Sequence, residues 1–130
     1  RYRWLGSKPH GETMRSLARS HVLVVSSVME GGANVICEAA RIGVPVLASR
    51  VSGNVGMLGG TYPGYFALHD DKALARLLER AARDSKYYHR LKDAVRARRR
   101  QFAPSAEGSA VRRLVQELGR RAERFPRRRD

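Results

Sequence analysis

The sequence predicts an α/β fold, a small parallel sheet followed by C-terminal helices. Three observations predict it. His21-Val22-Leu23-Val24-Val25-Ser26 and Val44-Pro45-Val46-Leu47-Ala48-Ser49 are short, nearly continuous apolar runs, the signature of strands buried on both faces of a parallel sheet. Between them, Asn34 to Ile42 reads as a helix ended by Gly43. Strand and helix alternating at this spacing give right-handed βαβ units.

The remaining elements follow in order. Arg1 to Gly6 reads as a short strand whose apolar content is Trp4 and Leu5. Glu12 to Ser20 reads as a short helix with Met14, Leu17 and Ala18 on one side. Residues 50–64 read as loop, with glycines at 53, 56, 59, 60 and 64, and Tyr65 to Leu68 as a third strand. From Asp70 the chain turns helical, with Leu74, Leu77, Leu78 and Ala81 forming a buried stripe. A second helix is expected from Ser85 to about Phe102. Pro104 and Ser105 break and cap the chain before a last helix, where Val111, Leu114, Val115 and Leu118 repeat the stripe. The chain thus divides into an α/β part over 1–84 and basic helices over 85–130.

Composition narrows the class. With 42% hydrophobic residues in 130, the chain can build a globular core. The longest apolar run, Val22 to Val25, is far too short to span a bilayer, so no membrane span is expected. A single cysteine, Cys37, allows no internal disulfide and suits a reducing, cytoplasmic setting. The start at Arg1, with no Met and no apolar export segment, suggests part of a longer polypeptide.

The net charge of +14 is unevenly spread. Residues 1–84 carry 11 basic and 7 acidic side chains, net +4, whereas 85–130 carry 15 and 5, net +10. No aromatic residues interleave with these arginines as a nucleic-acid stacking platform needs. The excess therefore reads as a solvated or interdomain helical face, and no nucleic acid is expected. The alternative is a basic module that binds nucleic acid or another polyanion without catalysis. No metal is expected, since His10, His21, His69 and His89 lack ligand spacing and Asp70-Asp71 reads as a helix N-cap pair.

The informative segment runs from Ser26 to Ala40. Glu30 follows a strand; Gly31 and Gly32 let a ligand approach the backbone; a helix opening near Ala33 or Asn34 offers unpaired N–H groups to a diphosphate. Glu38 lies one turn inside that helix, on the same face as Asn34. Each carboxylate can accept hydrogen bonds from neighbouring hydroxyls of a sugar or ribose. Taken alone, these residues fit a plain turn followed by a solvated helix equally well.

Glu30 and Glu38, eight positions apart, have the E-x7-E spacing of the retaining GT-B glycosyltransferases of the family 4 group. Glu30-Gly31, Glu38-Ala39 and Gly43-Val44-Pro45-Val46-Leu47-Ala48-Ser49 also resemble that family, in order, over roughly residues 1–85. The resemblance implies a partial Rossmann-like sheet, the C-terminal half of a GT-B donor domain, and a UDP-sugar as donor with no separate cofactor. It assigns Glu30 to the donor sugar's hydroxyls, as the catalytic candidate, and Glu38 to the ribose. Gly31, Gly32, Ala33, Asn34 and Val35 would meet the sugar and diphosphate through their backbone. Further strand–helix units and an N-terminal acceptor domain are implied before Arg1. The 130 residues alone would then be nearly inactive, and the open sheet edge would favour self-association.

The chain also departs from the family's common form. Gly32-Ala33-Asn34 stand where an aromatic residue and glycine are usual. The later loop, usually Gly-Gly-x-x-Glu, is Ser52-Gly53-Asn54-Val55-Gly56-Met57-Leu58-Gly59, so Ser52, Gly53 and Asn54 are further donor-site candidates. With Tyr62-Pro63-Gly64-Tyr65-Phe66, these features resemble the selenosugar synthases of selenoneine biosynthesis, which join selenophosphate to the anomeric carbon of a UDP-sugar.

Overall fold

The computed structural model describes residues 2–29, 31, 33–102 and 104–124; of 104–107 and 121–124 it describes the backbone alone. The chain forms two compact units, Arg1–Arg99 and Arg100–Asp130. The first is α/β, with a three-stranded parallel sheet in the order β1-β2-β3: β1 is Leu23–Val25, β2 is Val46–Ser49 and β3 is Tyr65–Phe66. Leu23 pairs with Val46 and Val25 with Ala48, while Ala48 and Ser49 pair with Tyr65 and Phe66. The helices are α1 (His10–Ala18), α2 (Asn34–Ile42), α3 (Ser52–Leu58), α4 (Asp71–Arg83) and α5 (Ser85–Arg98), with a 3₁₀ turn at Arg99–Phe102. The second unit is built on one helix, α6 (Pro104–Arg124). The predicted class, a partial Rossmann-like parallel sheet with C-terminal helices, is the one observed.

The central strand explains the core. Val46, Leu47, Ala48 and Ser49 are all buried, as a strand covered on both faces must be. From α2, Ile36, Ala39 and Ala40 turn inward, and from α5 Tyr87, Leu91 and Val95 do so at i, i+4 and i+8, one apolar stripe on each helix. Gly64 sits where these layers are closest. A Cβ there would lie 2.5 Å from the Val46 carbonyl oxygen and 2.9 Å from Leu91 Cδ2, so only glycine fits. The Tyr62 hydroxyl ties the same place together, donating to the Val46 carbonyl at 2.6 Å and accepting from the Val46 amide at 3.2 Å. Burial pushes its pKa well above the ordinary tyrosine value, so it stays protonated and able to donate.

Several expectations are corrected. Residues 2–6 form no strand, and Trp4 is 77% exposed, because no neighbouring strand among the described residues supplies a ladder. β1 is an edge strand with Val24 39% exposed, so it is not buried on both faces. Helix α1 begins two residues early, at His10, behind Pro9. The third strand ends at Phe66 rather than Leu68. Residues 50–64 are not all loop: Ser52–Leu58 is helix α3, anchored by Asn54 and Leu58 despite its two glycines. In the α4 stripe Leu74, Leu77 and Ala81 are half-buried and Leu78 exposed, and Val111, Leu114, Val115 and Leu118 of α6 are exposed rather than buried. Apolar spacing marks a face, but burial needs a partner for that face.

Candidate functional site

In an open parallel sheet the strands' carboxyl ends carry the ligand crevice. Here those ends are Val25 and Ser49, leading into α2 and α3. A hydrogen bond joins them: the Ser49 hydroxyl donates to the Ser27 carbonyl at 2.7 Å. Beyond β1 the chain runs exposed through Val28 and Met29 and enters α2 at Ala33, its buried N-cap residue. Among the described residues no side chain caps that end, and no acidic residue lies in the first turn. The first-turn amides and the positive end of the helix dipole are therefore not satisfied by the helix's own side chains, the condition under which a helix end receives an anion.

Gly31 is exposed, and a Cβ built there would meet nothing within 4 Å. Protein packing does not demand glycine at this position. Asn34 is exposed and Val35 half-buried, both in the first turn of α2. Glu38 follows one turn later with its side chain 25% exposed. Its Oε1 lies 3.8 Å from Nδ1 of His10, the first residue of α1. The contact joins residues 28 positions apart, which no local pattern signals. Glu30 and Gly32, two of the candidates, lie outside the described residues.

The Ser52, Gly53 and Asn54 candidates form the first turn of α3 rather than a loop. Ser52 is exposed and Gly53 half-buried, but Asn54 is fully buried. Its Nδ2 donates to the Ser49 carbonyl at 3.0 Å and approaches the Ser49 hydroxyl at 3.2 Å. Its Oδ1 has no partner among the described residues. Asn54 therefore pins α3 to the end of β2. Tyr65 secures the same helix from β3, its hydroxyl hydrogen-bonding to the carbonyls of Asn54 at 3.2 Å and Gly59 at 3.0 Å. Burial raises the Tyr65 pKa, while Arg50, 5.3 Å over its ring, works against that rise.

A wide apolar cleft of about 640 Å³ lies elsewhere, lined by His21 and Val22 ahead of β1 and by Leu78, Ala81 and Tyr88. It opens at the amino end of the strand, away from the ligand-bearing edge, so its size does not make it the candidate site. Among the described residues no group of three His, Cys, Asp or Glu side chains could hold a metal. No helix there is long and apolar enough to cross a membrane.

A parallel sheet whose strand end leads through a glycine-bearing turn to an uncapped helix is the layout of ligand-binding open α/β domains. Within that class the chain belongs to the group 1 glycosyl transferases, whose family model matches residues 1–98. No curated protein matches the chain. Sugar transfer is thus the general activity of the family to which these residues belong.

Proposed function

We propose that this chain binds the nucleotide-sugar donor of a retaining-type GT-B glycosyltransferase, with a UDP-sugar as donor. The observation that carries the reading is the placement of Glu38, a part-exposed carboxylate one turn inside an uncapped helix at the carboxyl edge of the sheet. A carboxylate there can accept from both ribose hydroxyls while the first-turn amides receive the diphosphate. As the bond to the anomeric carbon breaks, negative charge grows on the departing UDP. Amides fixed in place before the reaction stabilise that charge without reorganising. Glu30, eight positions earlier in the sequence, would accept from the sugar's own hydroxyls.

The free glycine at 31 supports the reading, because a residue that packing leaves unconstrained suits close approach by a ligand. For the acceptor, the resemblance to selenosugar synthases proposes selenophosphate, held in this reading by an N-terminal domain outside these 130 residues. The expected readout of the chain alone is therefore donor binding rather than turnover. Calorimetric titration with UDP and UDP-N-acetylglucosamine at moderate salt tests it. Glu38→Ala should weaken UDP binding by at least about tenfold, since it removes charge-assisted hydrogen bonds. UDP affinity unchanged in that variant, or falling steeply with salt, would reject the donor reading in favour of general polyanion binding.

A further inference from the structure

Three arginines converge at the opposite end of α2. Arg41 lies in its last turn, Arg96 in the last turn of α5, and Arg99 begins the 3₁₀ turn that follows. With Ala40, Ile42 and Gly43 they line a cleft of about 280 Å³. Among the described residues no carboxylate lines it, and none of the three guanidiniums has an acidic partner there. The nine residues of α2 put this cleft about 13 Å from the proposed donor edge, at 1.5 Å per residue.

Cations near helix carboxyl ends often serve only to offset the dipole. Arg98 does this for α3, its Nε donating to the Leu58 carbonyl at 2.9 Å. Arg96 differs. Its side chain lies over Gly43, the left-handed residue that ends α2 at φ +81°, where a Cβ would come 3.1 Å from Nε. At the carboxyl end of α2 the Ala39 carbonyl is taken by backbone, the Gly43 and Val44 amides both donating to it at 2.8 and 2.9 Å. The Arg96 guanidinium lies against Gly43 in the cleft lining, with no carbonyl partner among the described residues. Three like charges held this close repel one another, and a bound anion relieves that repulsion.

We propose that this cleft is a second ligand site, for a phosphate-bearing anion with at least two negative charges. Guanidinium forks match phosphate oxygens two at a time, and three of them around one small cleft suit a diphosphate or a phosphomonoester. Arg41, Arg96 and Arg99 each contribute to the lining. The ligand is either a free anion or the headgroup of a lipid, which present the same chemistry to the arginines.

The test uses the 130-residue chain and two probes: inorganic pyrophosphate by calorimetry at low salt, and sedimentation with vesicles containing phosphatidic acid. Arg41→Gln and Arg99→Gln should each weaken binding about tenfold, and the double variant about a hundredfold. Arg76→Gln, which removes an equal charge from α4 outside the cleft lining, should leave it unchanged. Circular dichroism checks that each variant remains folded, and Arg99→Lys keeps the charge without the fork and should fall between. Pyrophosphate binding lost in the double variant marks a free anion, and vesicle binding alone lost there marks a headgroup. Binding to neither probe, or binding equally reduced by Arg76→Gln, overturns the proposal.

Discussion

Nδ1 of His10 lies 3.8 Å from Oε1 of Glu38, joining the first turn of α1 to the carboxylate that the donor reading depends on. The imidazole is 77% exposed, so the pair contributes at most about 1 kcal/mol even when charged. His10→Ala should therefore change UDP affinity less than about fivefold. Glu38→Ala should change it far more. Calorimetry on the two variants side by side separates the roles: equal losses would mean that Glu38 acts through His10 and does not itself meet the nucleotide.

Gly64 sets the spacing between β2 and α5. A methyl group there would press on the Val46 carbonyl oxygen at 2.5 Å and on the Tyr62 ring at 2.6 Å, and backbone cannot yield as a flexible side chain can. Gly64→Ala is expected to cost about 3 kcal/mol, read as a lower urea midpoint. Gly60, whose Cβ would meet nothing within 4 Å, provides the comparison, and Gly60→Ala should leave the midpoint nearly unchanged.

The two glycines show where sequence reading reaches its limit. Both stand in the segment read as loop, and nothing local distinguishes them. Only the strand and helix that close over Gly64 make it obligatory. Likewise β2 and α2 were legible because Val46 to Ser49 and Ile36, Ala39 and Ala40 carry their own apolar pattern. The strand expected over residues 1–6 is absent from the described residues 2–6 because strands need partners, which sequence pattern cannot supply. The position of Glu38 one turn inside α2 was legible from spacing, whereas the approach of His10 came from packing of α1 on α2.

Asn54 is the clearest case of a residue whose role changes once it is placed. Read as part of a donor-facing loop, it is instead fully buried, donating to the Ser49 carbonyl at 3.0 Å. Asn54→Ala removes that donor and leaves the Ser49 carbonyl with the Val51 amide alone, at 2.9 Å, so the lost hydrogen bond costs about 1 kcal/mol. Thermal unfolding should show the loss, while UDP affinity measured well below the transition should hold. The reverse pattern, intact stability with weakened UDP binding, would return Asn54 to the donor site.

Asp84 gives the chain a pH dependence that can be traced to one helix. It caps α5, with Oδ1 accepting from the Tyr87 amide at 3.0 Å, and Oδ2 pairs with Arg80 Nε at 3.4 Å. The Tyr87 amide first, and then Arg80, hold its pKa below the ordinary aspartate value of 3.8. A carboxyl whose pKa is lower folded than unfolded stabilises the fold fully above the unfolded value and loses that contribution as pH falls through the folded one. Wild-type chain should therefore melt above Asp84→Ala near neutral pH, with the gap narrowing only below 3.8. Scanning calorimetry of both proteins across that range reads the gap directly, and the subtraction cancels the other carboxylates they share. A gap that persists unchanged in strong acid would mean that Asp84 acts through packing rather than through its charge.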